Sequence, residues 1–166
     1  MTQRKRPETQ PLGDGNATAW TDARGRLAAA DYYWLATVHS DGRPHVRPLL
    51  AVWVADAMYF CSGAATRKSG YLTAVPSCSL ATETDTFHFV VEGEATKRSD
   101  ETALQDVAGA YATKYEWEVE VRDGAFYAAG APTAGEPPYE VYEVTPETVF
   151  GFGLDASVSS TRWQFE

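Results

Sequence analysis

The chain reads as a mainly β domain with a few helices, a small antiparallel barrel decorated by them. Seven or eight short stretches alternate apolar and polar residues between turn signals, and only two or three segments show helical spacing. A length of 166 residues, 44% hydrophobic and 22% charged, suits one folded domain that buries its core without staples. No internal repeat and no second domain is visible.

Residues 1–16 are polar, with Pro7, Pro11, Gly13 and Gly15 and no periodicity, and read as a flexible tail; residues 17–166 form the single domain. Trp20, Ala23, Leu27 and Ala30 then recur at helical spacing, with Thr21 or Asp22 as the cap. Residues 33–38 (YWLATV) are apolar on both faces and predict a central strand. Asp41-Gly42 tolerates the positive φ of a tight hairpin. The return strand runs from about Pro44 to Val54. Pro44 and Pro48 cannot donate to a ladder, so this strand lies at an edge or carries a bulge.

A third strand, Met58 to Ser62, ends at Gly63-Ala64-Ala65. Thr66 can cap a short helix that stops before Pro76. Strands follow at 77–84 and 86–98, the latter alternating Phe87, Phe89, Val91, Gly93 and Ala95 with mostly polar neighbours. Ser99-Asp100-Glu101 opens the longest helix, with acids at its positive end and a stripe of Leu104, Val107, Ala108, Tyr111 and Tyr115. Glu116, Glu118 and Glu120 alternate with Trp117, Val119 and Val121, a half-exposed strand with a solvated acidic face. Residues 123–138 are rich in Gly, Pro and Ala and read as a long surface loop. Strands resume at 139–145, 149–154 and 161–165.

Composition excludes several function classes. The longest apolar run, Leu49 to Ala55, is seven residues, far short of the roughly twenty a membrane span needs. No apolar stretch follows the charged start, so no secretion signal is read and a cytoplasmic location is expected. Cys61 and Cys78 make no disulfide framework or zinc site and read as buried inert thiols. A net charge of −9 argues against nucleic acid. The charge is uneven: residues 1–98 sum to +1 and residues 99–166 to −10. Between Gly42 and Thr82, Arg43, Arg47, Arg67 and Lys68 face one acid, Asp56, which suggests an anion held there.

The strongest local feature is the run 62–68, Ser-Gly-Ala-Ala-Thr-Arg-Lys. A strand ends, small residues turn the chain, and a helix starts with a hydroxyl and two cations. Free N–H groups and the positive dipole end suit a phosphate, with Arg67 as a fork and Lys68 as a point charge. Arg47 converges from the neighbouring strand. The alternative is a capped helix with two solvated cations, and local sequence leaves both open. The spacing is not that of a P-loop, and no Gly-x-Gly-x-x-Gly, Gly-x-Ser-x-Gly or Cys–His motif occurs. His39, His45 and His88 lack metal spacing. His45 shares a strand face with Arg47 that could line a ligand, and taken alone it reads first as a structural, half-buried histidine.

Taken in order, YYWLATVHSDGRPHVRPLLAVWV, MYFCSGAATRKSGYLTAVPSCSL and FVVEGEATKRSD resemble the pyridoxamine 5′-phosphate oxidase-like flavin-binding split barrels. The resemblance covers roughly residues 25–115, with a looser match at 139–165. It implies a homodimer of six-stranded antiparallel Greek-key split barrels with cofactor sites at the subunit interface. It implies further that Thr66, Arg67 and Lys68 hold the flavin phosphate with Arg47 assisting. Backbone at Pro48, Leu49 and Leu50 and at Phe60, Cys61 and Ser62 would lie along the isoalloxazine ring.

Residues 160–165 (STRWQF) show no Arg–His pair of the kind a genuine pyridoxamine phosphate oxidase carries near its C-terminus, so that reaction is not expected. Short relatives use FMN or the deazaflavin coenzyme F-420, whose acidic tail needs a longer basic groove. The four bases here favour FMN. The implied activity is hydride transfer between the cofactor and a small substrate. No catalytic residue is assigned, and a non-enzymatic flavin or haem carrier or sensor is the rival reading.

Overall fold

The alternating stretches become one antiparallel sheet of eleven strands with three helices among the described residues, 6–129 and 135–166 of this computed structural model. In chain order these are β1 (Glu8–Pro11), α1 (Trp20–Ala29), β2 (Tyr33–Val38), β3 (Pro44–Leu49), β4 (Val52–Val54), β5 (Ala57–Gly63) and α2 (Arg67–Ala74). They continue as β6 (Ser77–Glu83), β7 (Phe87–Arg98), α3 (Glu101–Tyr115), β8 (Glu120–Arg122), β9 (Ala125–Tyr127), β10 (Tyr139–Gly153) and β11 (Thr161–Gln164). Strands pair along the path β1-β11-β10-β7-β6-β2-β3, while β10 also pairs β5 and β5 pairs β4. Because β3 and β4 are neighbouring pieces of one stretch of chain, the pairings run out from β10 and return to it.

All seven residues of β5 are buried. Met58 and Phe60 enter a core with Leu27, Tyr33, Leu35, Leu80, Phe89 and Trp163. Tyr59 and Cys61 point the other way, into a second core where α3 supplies Leu104, Val107 and Tyr111. Strand β10 divides its residues likewise, Tyr142 and Val144 to the first core and Tyr139 and Val141 to the second. The two-residue period of a strand is what lets one strand serve two cores.

Local signals behave as read. Gly42 takes φ +88° in the β2–β3 turn. Thr66 caps α2 and Asp100 caps α3 through their side chains. The α3 stripe is buried at Leu104, Val107 and Tyr111. Cys61 and Cys78 are buried and free. Among the described residues, no helix is long and apolar enough to cross a membrane.

Several expectations are corrected. Helix α1 starts after Ala19 with no side-chain cap, so neither Thr21 nor Asp22 serves. Residues 8–11 of the expected tail form β1, held to β11 by the ladder Glu8↔Gln164 to Pro11↔Thr161; residues 1–5 lie outside the described residues. The two strands expected at 139–145 and 149–154 are one, since a bulge between Pro146 and Thr148 absorbs the proline without ending the pairing to β7. Of the stretch 116–121, strand covers only Glu120–Arg122 with one residue beyond it, although the glutamates are exposed as expected. The expected loop at 123–138 contains β9, and residues 130–134 fall outside the described residues.

The largest departure is at the return strand. It does not run unbroken to Val54 but stops at Leu49 and resumes at Val52 with a new partner: β3 pairs β2, and β4 pairs β5. Breaking a ladder frees backbone groups that need partners, and α3 supplies them. The Tyr111 hydroxyl donates to the Leu50 carbonyl at 3.0 Å. Tyr115 Oη and Lys114 Nζ each donate to the Ala51 carbonyl at 3.0 Å. The Ala51 N–H donates back to Tyr115 Oη at 3.4 Å.

Strand β2 is central by pairing, flanked by β3 and β6, but one of its faces is open. Trp34 is 47% exposed there. Its lateral neighbours form the row Pro48↔Trp34↔Ala81↔Val90↔Phe150 across five strands.

Candidate functional site

The break at Leu50 and Ala51 leaves two edges without a strand partner. Strand β3 pairs only on its β2 side, and β4 covers β5 only at residues 57–59. On that side, residues 44–49 and 60–63 are unladdered among the described residues. The segments 48–50 and 60–62 singled out from the sequence therefore flank one gap in the sheet. Pro48 and Leu50 are exposed, whereas Leu49, Phe60, Cys61 and Ser62 are buried, so that of these four only backbone can border the gap.

Beside the gap lies a cavity of about 370 Å³ lined by His45, Arg47, Pro48, Thr66, Arg67 and Lys68. The structure thus brings Arg47 to the start of α2, as the sequence suggested. A hydroxyl network builds the α2 end of this pocket. Thr66 Oγ1 donates to the Gly63 carbonyl at 2.8 Å, and Ser69 Oγ donates to the same oxygen at 3.1 Å. Ser62 Oγ and Thr66 Oγ1 share a hydrogen bond of 2.6 Å. Ser62, buried on β5, thereby ties the strand end to the helix start.

Electrostatics separate the cations. Arg67 and Arg47 are exposed, and the Arg47 guanidinium turns to the Val46 carbonyl at 2.7 Å. Lys68 is only 5% exposed; burial, with Arg47 adding to it, pulls its ammonium below the usual lysine range. Burial likewise raises the Cys61 thiol to about 12, so no reactive thiolate borders the pocket. The lining contains no carboxylate among the described residues, which is the composition of an anion site in a chain of net charge −9.

His45 lines the cavity beside Arg47, the alternative the sequence leaves open to its structural reading. It is 8% exposed, hydrogen-bonds Thr37 Oγ1 through Nδ1 at 3.3 Å and packs against Tyr71 at 5.0 Å. The signal that finds it is its two-residue offset from Arg47 on one strand face.

A family model described as pyridoxamine 5′-phosphate oxidase matches residues 20–153, most of the chain and all of this site. The chain belongs to the pyridoxamine 5′-phosphate oxidase family. A search of curated proteins finds no significant match. Among solved structures, a FAD-binding protein from Mesorhizobium loti is 17% identical with TM-score 0.58, covering 96% of this chain and 99% of that one. A structure described as an F420 reductase is 19% identical with TM-score 0.55, covering 76% and 94%. A heme binding protein from Mycobacterium smegmatis is 17% identical with TM-score 0.63, covering 84% of this chain and 55% of that one. At such identities these likenesses establish the shared fold.

Proposed function

We propose that this family member binds FMN and transfers a hydride between the flavin and a small substrate. The cation-lined pocket at the start of α2 carries the reading. Three cations, a capping threonine and no carboxylate converge on a volume suited to a phosphate. Arg67 and Lys68 hold the phosphate, and Arg47 closes over it from β3. The gap between β3 and β5 receives the ring along the backbone of residues 48–50 and 60–62. When bound, the flavin supplies the hydride chemistry; the protein's part is to position it and exclude water. The deazaflavin coenzyme has a phosphate too, but its acidic tail asks for more cations than the lining provides. A carrier of flavin or haem on the same fold would bind without turnover, and assaying the reduced protein with candidate acceptors separates that case.

The circuit of pairings through β10 would be the six-stranded split barrel of the family, and two copies would meet over the site. The open row from Pro48 to Phe150 supports this: it starts at the pocket's own lining, and Trp34, Val46 and Leu50 stand exposed beside it. A flat ring held between two protomers gains two walls.

The test is a visible absorption titration with FMN and with riboflavin, which lacks the phosphate. Each charge-assisted hydrogen bond is worth about 1.5–3 kcal/mol. Arg67→Ala/Lys68→Ala should therefore weaken FMN at least ~100-fold while moving riboflavin little. The single variant Arg67→Ala, at an exposed position, guards against loss of fold. Unchanged FMN affinity in both variants removes the phosphate assignment.

A further inference from the structure

Three cations and one histidine line the phosphate pocket, and the histidine has an environment of its own. His45 sits on β3 with its Nδ1 engaged by Thr37 of β2. Tyr71 of α2 packs on the ring at 5.0 Å, and His39 of the β2–β3 turn at 5.9 Å. Among the described residues Nε2 has no hydrogen-bond partner. The titratable and charged groups facing the ring are Arg47 from β3, Arg67, Lys68 and Tyr71 from α2, and His39 from the turn; none is a carboxylate.

Burial and this surrounding positive charge hold His45 below the ordinary histidine range, so the ring is neutral at pH 7. A phosphate dianion entering the same cavity reverses the sign of the local field. Thr37 fits both states of the ring, because its hydroxyl can donate to a bare Nδ1 or accept from a protonated one.

We propose that His45 is a further phosphate ligand, taking up one proton from solvent as the dianion enters and donating Nε2–H to it. This rests on the phosphate reading of the pocket above. Neutral His45, a solvent proton and the dianion become an imidazolium–phosphate pair, and no bond other than N–H forms. Specificity follows, since a dianionic phosphate drives the proton uptake and an uncharged ligand does not.

The experiment is an NMR titration of the histidine ring Cε1–H signals of the whole protein, alone, saturated with FMN and saturated with riboflavin. His45→Asn identifies the resonance. FMN should raise the His45 midpoint by about one pH unit or more, and riboflavin should leave it in place. In parallel, FMN affinity relative to His45→Asn should fall about tenfold per unit shift as pH rises from the free-protein midpoint to the bound one. Saturable FMN binding with an unmoved His45 midpoint overturns the proposal and leaves the phosphate pocket standing. A midpoint moved equally by riboflavin overturns it too, because the ring and not the phosphate would be the cause. Absence of FMN binding overturns both readings together.

Discussion

Replacing glycine by alanine should change stability in opposite directions at two positions, and the structure says why. Gly109 lies exposed in α3, and a Cβ there would have nothing within 4 Å. Alanine in a helix interior gains about 0.5–1 kcal/mol over glycine, mostly from the unfolded chain. Gly93 lies buried in β7 opposite Pro146, beside the bulge of β10. A Cβ there would stand 2.2 Å from the Thr145 carbonyl oxygen and 3.1 Å from its carbon. Resting contacts between heavy atoms are roughly 3.5 Å, so the backbone must move by about 1 Å. A backbone carbonyl in a ladder cannot rotate away as a side chain can, which places the cost at or above the upper part of the roughly 1–3 kcal/mol seen for overpacking. The same entropic gain of about 0.5–1 kcal/mol offsets only part of it. Gly93→Ala should therefore lose about 1–3 kcal/mol while Gly109→Ala gains about 0.5–1 kcal/mol. Urea unfolding reads both as shifts of the midpoint at constant slope. A Gly93→Ala protein as stable as the parent would refute the reasoning, for it would mean that the Pro146 bulge yields freely.

Two further outcomes follow from the brace at the β3–β4 corner. Tyr115→Phe leaves the buried Ala51 carbonyl with Lys114 but its N–H with no acceptor, so a loss of about 1–2 kcal/mol in urea unfolding is expected; a loss below ~0.3 kcal/mol would show that the corner needs no brace. Burial lowers Lys114 to about 8, with Asp31 offsetting part of the effect. Between pH 8 and about 10 Lys114 contributes a rise of stability with pH, because the unfolded lysine binds a proton that the folded one does not, while Cys61 and Cys78, whose thiols burial raises to about 12, contribute a fall over the same range. Lys114→Met should therefore make stability fall more steeply with pH over that range than in the parent, and an unchanged slope would place the folded ammonium near its ordinary range.

What was legible in the sequence was what neighbours in sequence decide. Asp41-Gly42, Thr66 and Asp100 act on backbone within three residues of themselves, and their turn and caps stand where they were read. The return strand broke because its alternation continues through Val52, while the hydroxyls and the ammonium that stabilise the corner come from α3, over sixty residues away. Strand β1 was invisible because its residues bury no side chain; only a ladder to the far end of the chain makes it a strand. In the site, Arg47, Thr66, Arg67 and Lys68 do gather around one cavity. His45 was undervalued because the groups that give it a charged setting arrive from α2, which local periodicity cannot dock.

The path of pairings ends on β1 and β3, and both carry proline. Pro7 immediately precedes β1 and Pro11 is its last residue, and Pro44 and Pro48 lie in β3. An outer strand with its N–H groups free is a template on which another molecule's strand can continue the sheet, the route to fibres and domain swapping. Each proline removes a donor from that template. The molecule is thereby guarded at both ends against lengthening its sheet by recruitment. Protection against growth of the sheet by recruitment thus rests on Pro11 in β1 and on Pro44 and Pro48 in β3.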